Sequence, residues 1–170
     1  MSHWYLIYTK PRQESVAFFH LKQQNYSVYL PQCQRQKKVA RRYVSVTEPM
    51  FPRYLFIQLD KGSDDWGPLR STRGVSHLVR FGGEPALVAD HIVSAIQAIE
   101  QSLLTSAGEQ TDERFKAGQR VFIAQGPFAG YEAVFEEKKG EGRCKILIEL
   151  VSKSMRIDID QDDLSNDFLG

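Results

Sequence analysis

The stretch "TEPMFPRYLFIQL", residues 47–59, decides how the fold is read. From Arg53 it alternates as a strand, with Leu55, Ile57 and Leu59 pointing one way and Tyr54, Phe56 and Gln58 the other. A half-buried strand is apolar on one face only. Here Tyr54 and Phe56, with Met50 and Phe51 just upstream, make the second face apolar too, so that face needs a cover.

Around this strand the first hundred residues read as strand ("HWYLIYT"), helix from Pro11 to about Asn25, strand ("SVYLPQ"), basic hairpin, strand (54–59), short connection, strand ("VSHLVRF") and a closing helix. Pro11 suits the start of a helix, where its missing N–H has no partner to lose. In "ADHIVSAIQAIEQSLL", Ile92, Ile96, Ile99 and Leu103 share one helical stripe and Asp90 serves as N-cap. The fold class is α+β, a mainly antiparallel sheet with helices packed on it.

The polar, aperiodic "TSAGEQTDER" that follows reads as a linker. Beyond it, "QRVFIA", "YEAVFEE", "CKILIELV" and "SMRIDID" are short apolar segments between Gly-containing turns, which fits a small β-barrel. The expected division is a first domain over 1–103, a linker over 104–114 and a second domain over 115–170.

Two periods fit the second domain. As strands, Ile146, Ile148 and Leu150 alternate, as do Met155, Ile157 and Ile159. As a helix, Ile146, Leu147, Leu150, Val151, Ser154 and Met155 form a continuous stripe. Phe128, Tyr131 and Phe135 likewise share a helical side, and "KKGEG" at 138–142 turns one helix back on the other.

Composition narrows the function. With 42% hydrophobic and 25% charged residues the chain is ordinary globular protein. The start "MSHWYLIYTK" has no basic leader and too short an apolar run to span a bilayer, so a cytoplasmic chain with no membrane partner is expected. Cys33 and Cys144 have no paired spacing, and His3, His20, His77 and His91 have no nearby nucleophile or metal-ligand spacing. No catalytic residue, metal or cofactor is therefore expected. Residues 1–100 carry 13 Lys+Arg against 8 Asp+Glu, and residues 101–170 carry 9 against 13. The first half is the plausible polyanion contact, and the acidic second half is a poor one.

The stretches "WYLIYTKPRQE", "EPMFPRYLFIQLD" and "STRGVSHLVRFGG", followed by "FKAGQRVFIAQGPFAGYEAVFEE", together resemble the NusG family of transcription elongation factors. The pattern V-x-I-x-x-G-P-F-x-G, Val121 to Gly130, resembles the hallmark of a KOW module. The "STRGVSH" segment, with Lys10, His20 and Glu48, looks most like the specialised, operon-targeted RfaH-type branch. The resemblance implies a NusG-type N-terminal (NGN) domain, a linker and a KOW domain, which is either an SH3-like barrel or, in an autoinhibited state, a helical hairpin.

It also implies partners. Tyr8, Phe51, Tyr54 and Phe56, with Ile96, match the apolar depression that binds the clamp helices of bacterial RNA polymerase. Lys10, Gln13, His20, Thr72 and Arg73 match residues that recognise exposed non-template DNA, and Gln24 shares the helical sector of Gln13 and His20. From spacing alone the same sector fits a solvated helix face. Glu48 and Arg143 match positions that pair across the domain contact, where Phe128, Ile146 and Leu150 also belong. The implied function is an antitermination factor that reduces pausing and couples transcription to translation through a small-subunit ribosomal protein, acting as a monomer. A general NusG role and a KOW-bearing RNA- or ribosome-binding protein are the rivals, the latter disfavoured by the acidic second half.

Two departures stand out. Pro11 and Val16 add no basic contact, and "DDWGPLRS", residues 64–71, has Trp66, Gly67 and Pro68 where the RfaH type has a polar His- and Thr-rich contact to the polymerase gate loop. The basic run "QRQKKVARRY", residues 34–43, reads either as a hairpin tip kept soluble by charge or as a nonspecific DNA contact.

Overall fold

The computed structural model describes residues 2–106 and 139–167, with side chains over 2–101 and 139–155. In chain order the elements are β1 (Ser2–Thr9), α1 (Glu14–Gln23), β2 (Ser27–Tyr29), β3 (Gln32–Val39), β4 (Arg42–Pro49) and β5 (Tyr54–Asp60). A 3-10 turn (Gly67–Ser71), β6 (Val75–Leu78), β7 (Arg80–Phe81), β8 (Glu84–Pro85), β9 (Leu87–Val88), α2 (Asp90–Ser106) and α3 (Gly140–Asp167) follow. The central sheet runs β2-β5-β1-β6, with β9 also paired to β1, and every pairing is antiparallel.

The alternation expected along β5 sorts its side chains into two cores. Leu55, Ile57 and Leu59 pack with Tyr5 and Ile7 of β1 and with Ala17 and Leu21 of α1. Phe56, with Leu6 of β1, Met50, Phe51 and Cys33, packs on the opposite face with Ile92, Val93, Ile96 and Ile99 of α2 and Leu147 and Val151 of α3. One sheet thus separates α1 from α2 and α3.

Local chemistry moves two helix starts. Arg12 adopts φ 60° and the Gln13 N–H donates to the Lys10 carbonyl at 3.1 Å, so Pro11 and Arg12 form a tight turn and α1 begins at Glu14 rather than at Pro11. Asp90 lies inside the first turn of α2 rather than capping it, and the N–H groups of Ile92 and Val93 donate to Ala89 O instead. There Asp90 offsets the positive end of the helix. Asn25, at φ 69°, stops α1 in the left-handed conformation that Asn tolerates.

Two strands are shorter than expected. The "SVYLPQ" strand keeps only Ser27–Tyr29, because Pro31 has no N–H for a ladder, and "VSHLVRF" breaks at Val79 into β6 and β7. The β7–β8 hairpin, turned by Gly82 and Gly83 at positive φ, and β9 were not expected.

Over Gly140–Asp167 the chain is helical, and "CKILIELV" and "SMRIDID" are not strands in this structure. The expected barrel strands before residue 138, the Val121–Gly130 pattern, Phe128, and linker positions 107–114 lie outside the described residues. So does the first arm of the expected hairpin.

Candidate functional site

The second apolar face of β5 is covered. Phe51 and Phe56 are fully buried and edge-on, their centroids 6.3 Å apart, and Ile96 of α2 is buried in the same cluster. Leu147 and Val151, one helical turn apart on α3, are fully buried against this cluster, while Cys144, Ile146, Ile148, Leu150 and Met155 pack on it half-buried. Burying each of the two contributes roughly 1.5–3 kcal/mol. Tyr54 is half-buried at the rim and its ring lies 5.1 Å from that of Tyr8, which also carries the Arg53 guanidinium 4.1 Å above it. Burial, and then the neighbouring Cys144 thiol, pushes the Tyr54 phenol up.

Charge closes one edge of this cover. Arg143 donates from Nε to the Met50 carbonyl at 2.6 Å, and its Nη2 lies 3.5 Å from Oε1 of Glu48. The second oxygen of that carboxylate meets Arg35 Nε at 3.3 Å, so Glu48 is shared between the hairpin and α3. A cleft of about 330 Å³, lined among others by Arg35, Glu48, Pro52 and Gly140, runs along this seam. The Cys144 thiol donates to the Pro52 carbonyl at 3.3 Å, and burial raises both the Cys144 and Cys33 thiols.

A second surface forms on the α1 side. Gly74, at φ +88°, sits so close to α1 that a Cβ there would lie 2.6 Å from the Ala17 nitrogen. Only glycine permits that approach. It presses the 72–74 loop onto α1, and the Lys10 N–H donates to the Gly74 carbonyl at 2.9 Å. Gln24 reaches the same loop, its Nε2 donating to Thr72 Oγ1 at 2.9 Å. Lys10, Gln13, His20, Gln24 and Arg73 therefore share one surface. Thr72 differs: it is 6% exposed and its hydroxyl donates to the Pro68 carbonyl, so it braces the loop from inside. Trp66 is also committed inward, edge-on to Tyr5 with centroids 4.9 Å apart.

Sequence reasoning overlooked Phe19, 57% exposed and edge-on to His20 at 5.4 Å. An aromatic in a helix facing a sheet is normally assigned to the core, and only its angular distance from Ala17 and Leu21 signals otherwise. It also put Ile146 and Leu150 in the domain contact where Leu147 and Val151 lie deepest, although all four belong to the stripe it identified. Among the described residues no cluster of His, Cys, Asp and Glu is able to hold a metal, and no helix is long and apolar enough to cross a membrane.

Comparison with known proteins follows the same outline. The "Transcription termination/antitermination protein NusG" of Thermus thermophilus is 25% identical over 174 residues, covering 92% of this chain and 94% of that one. Its namesake in Deinococcus radiodurans is 27% identical over 136 residues, 69% of this chain and 68% of that one. A solved structure described as "Domain interaction in Thermotoga maritima NusG" is 20% identical with a TM-score of 0.38, covering 66% of this chain and 62% of that chain. The family described as "Transcription termination factor nusG" matches residues 2–97, which hold the whole central sheet and both surfaces on it. On that match, over more than half its length, the chain belongs to the NusG family of transcription termination factors.

Proposed function

We propose that this chain is an RfaH-type, operon-restricted elongation and antitermination factor whose polymerase-binding patch is covered by its own C-terminal half. The observation that carries this reading is the burial of Leu147 and Val151 against Phe51 and Phe56. A fully apolar aromatic face on a sheet that already has a complete core on its other side is a docking surface, and aromatic anchors of this kind dominate interface energetics. Here α3 occupies it. The partner is the pair of clamp helices of RNA polymerase, and α3 competes with them for Tyr54, Phe56 and Phe51.

On the α1 side, Lys10 and Arg73 supply phosphate attraction and guanine recognition, while Gln13, His20 and Gln24 offer donors and acceptors to unpaired bases. Exposed non-template DNA and polymerase both prefer the open protein, and ligands shift an equilibrium only through such preference. The released C-terminal half then folds as a KOW barrel and engages a small-subunit ribosomal protein.

The test is capture of bacterial RNA polymerase by full-length protein and by Leu147→Asp, which seats a charge in the apolar cluster. The variant is expected to bind polymerase without DNA while the wild type requires a paused complex with exposed DNA. Equal binding by both, or by neither, sinks the proposal. The general NusG role is the second reading, favoured by relatives that carry that name, and a genome-wide occupancy profile separates it from restricted action.

A further inference from the structure

Beyond its base, where Cys33, Arg35 and Glu48 join the α3 seam, the β3–β4 hairpin takes no part in either surface. It forms a two-stranded sheet of its own, and every residue from 34 to 45 is exposed, so both of its faces meet solvent. Eight-residue strands make an arm roughly 25 Å long. Residues 34–45 contain Arg35, Lys37, Lys38, Arg41 and Arg42 and no carboxylate, in a chain whose net charge is only +1. The one carboxylate of the hairpin, Glu48, lies at its base and is engaged by Arg35 and Arg143.

The register sorts these residues. Arg35, Lys37, Val39, Arg42, Val44 and Val46 lie on one face, and Lys38 stands directly across from Tyr43 on the other. Solubility explains the cations but not their neighbours. Val39, Tyr43 and Val44 are 49%, 71% and 46% exposed, and they are three of the four exposed large hydrophobics among the described residues. The tip, Ala40–Arg41, is held at φ 47° and 68°, a left-handed turn built without glycine. Such strain is tolerated where a fixed projection matters.

We propose that the distal part of this hairpin grips double-stranded DNA, with Lys37, Lys38, Arg41 and Arg42 on phosphates and Tyr43 against a groove wall. Single-stranded partners are disfavoured because they are held by successive stacking aromatics, and the arm offers one. The B-form major groove admits a two-stranded ribbon, whereas the A-form groove of RNA is too narrow. Charge fixes the affinity, and the apolar tip excludes water from the contact.

The experiment is fluorescence anisotropy of full-length protein with a labelled 20-base-pair duplex across a salt series. It compares wild type, the triple variant Lys37→Gln/Lys38→Gln/Arg42→Gln, Tyr43→Ala and Arg73→Ala, each first checked for unchanged circular dichroism and melting. The triple variant is expected to lower the log–log salt slope by about 2–3 and to weaken binding at least about tenfold at low salt. Tyr43→Ala is expected to weaken binding with its slope unchanged. Wild-type affinity and slope in the triple variant overturn the proposal. So does equal binding of polyglutamate, which would indicate an acidic protein partner, or equal binding of duplex RNA. Loss of duplex binding only in Arg73→Ala would assign the duplex to the α1 surface and overturn it as well, whereas failure of Arg73→Ala to bind single strands bears on the proposed function alone.

Discussion

Arg143 on α3 lies 3.5 Å from Glu48 on β4, and the same guanidinium donates to the Met50 carbonyl at 2.6 Å. Arg143 is 5% exposed, so the carboxylate acts on a largely desolvated charge. Glu48→Ala is expected to cost the seated α3 about 1–3 kcal/mol. Amide hydrogen exchange over 143–155 is the readout, and it should accelerate in Glu48→Ala. Arg35→Ala removes only the outer, half-exposed partner of Glu48 and should change little. Unchanged exchange in Glu48→Ala would show that the pair does not hold α3.

Leu147 is fully buried, whereas Ile146 beside it is half-buried and Lys145 is exposed. Leu147→Ala is expected to cost about 2–4 kcal/mol of docking, Ile146→Ala clearly less and Lys145→Ala nothing measurable. Fluorescence of an apolar-surface dye checks this order, because unseating α3 uncovers Phe51 and Phe56. A larger signal from Ile146→Ala than from Leu147→Ala would mean that α3 sits on a different edge.

The two-faced alternation of β5 and the stripe Ile92, Ile96 and Ile99 were legible in the sequence because each element buries what its period predicts. The two-residue strands β7, β8 and β9 were not, since no period fits in two residues and only Gly82–Gly83 marks the turn. Residues 144–160 satisfy both periods, so their own pattern does not choose between strand and helix. In the structure the helical stripe is closed against Met50, Phe51 and Phe56, residues nearly a hundred positions earlier. The α1 surface was legible as a sector, but the inward commitment of Thr72 depends on Gln24 as well as on the nearby Pro68 carbonyl, and no local spacing reveals the bond from Gln24, 48 residues away.

Gly74 supports the α1 surface through backbone alone. An added Cβ meets both a positive φ and the Ala17 nitrogen at 2.6 Å, and neither relaxes by rotating a side chain. Gly74→Ala is expected to destabilise the fold by about 2–4 kcal/mol, combining the left-handed penalty with overpacking. Urea unfolding gives the value. Gly83→Ala, where an added Cβ meets nothing within 4 Å, carries only the conformational share, about 1–2 kcal/mol. Equal losses at the two positions would mean that the contact with α1 contributes nothing.

Cys144 gives the α3 contact an alkaline limit. Burial raises its thiol to about 11, against the pull of Arg143 and with Glu141 and Glu14 adding to the rise; the ordinary value is 9.0. Well below pH 9 the thiol is neutral whether α3 is seated or released, so its contribution is constant there. Between about pH 9 and 11 the released chain sheds the proton first, binds fewer protons than the seated one, and stability falls as pH rises. Burial raises the phenols of Tyr5, Tyr26 and Tyr29 in wild type and Cys144→Ala alike, so they cancel between the two; Tyr54, which Cys144 helps to raise, shifts with the thiol. The stability difference between the two proteins, from urea midpoints at pH 7, 8, 9, 10 and 10.5, is therefore expected to be flat up to about pH 8 and to move against wild type from there, most steeply between about pH 9 and 11. A difference that stays constant through pH 10.5 would place the thiol in water rather than against Pro52.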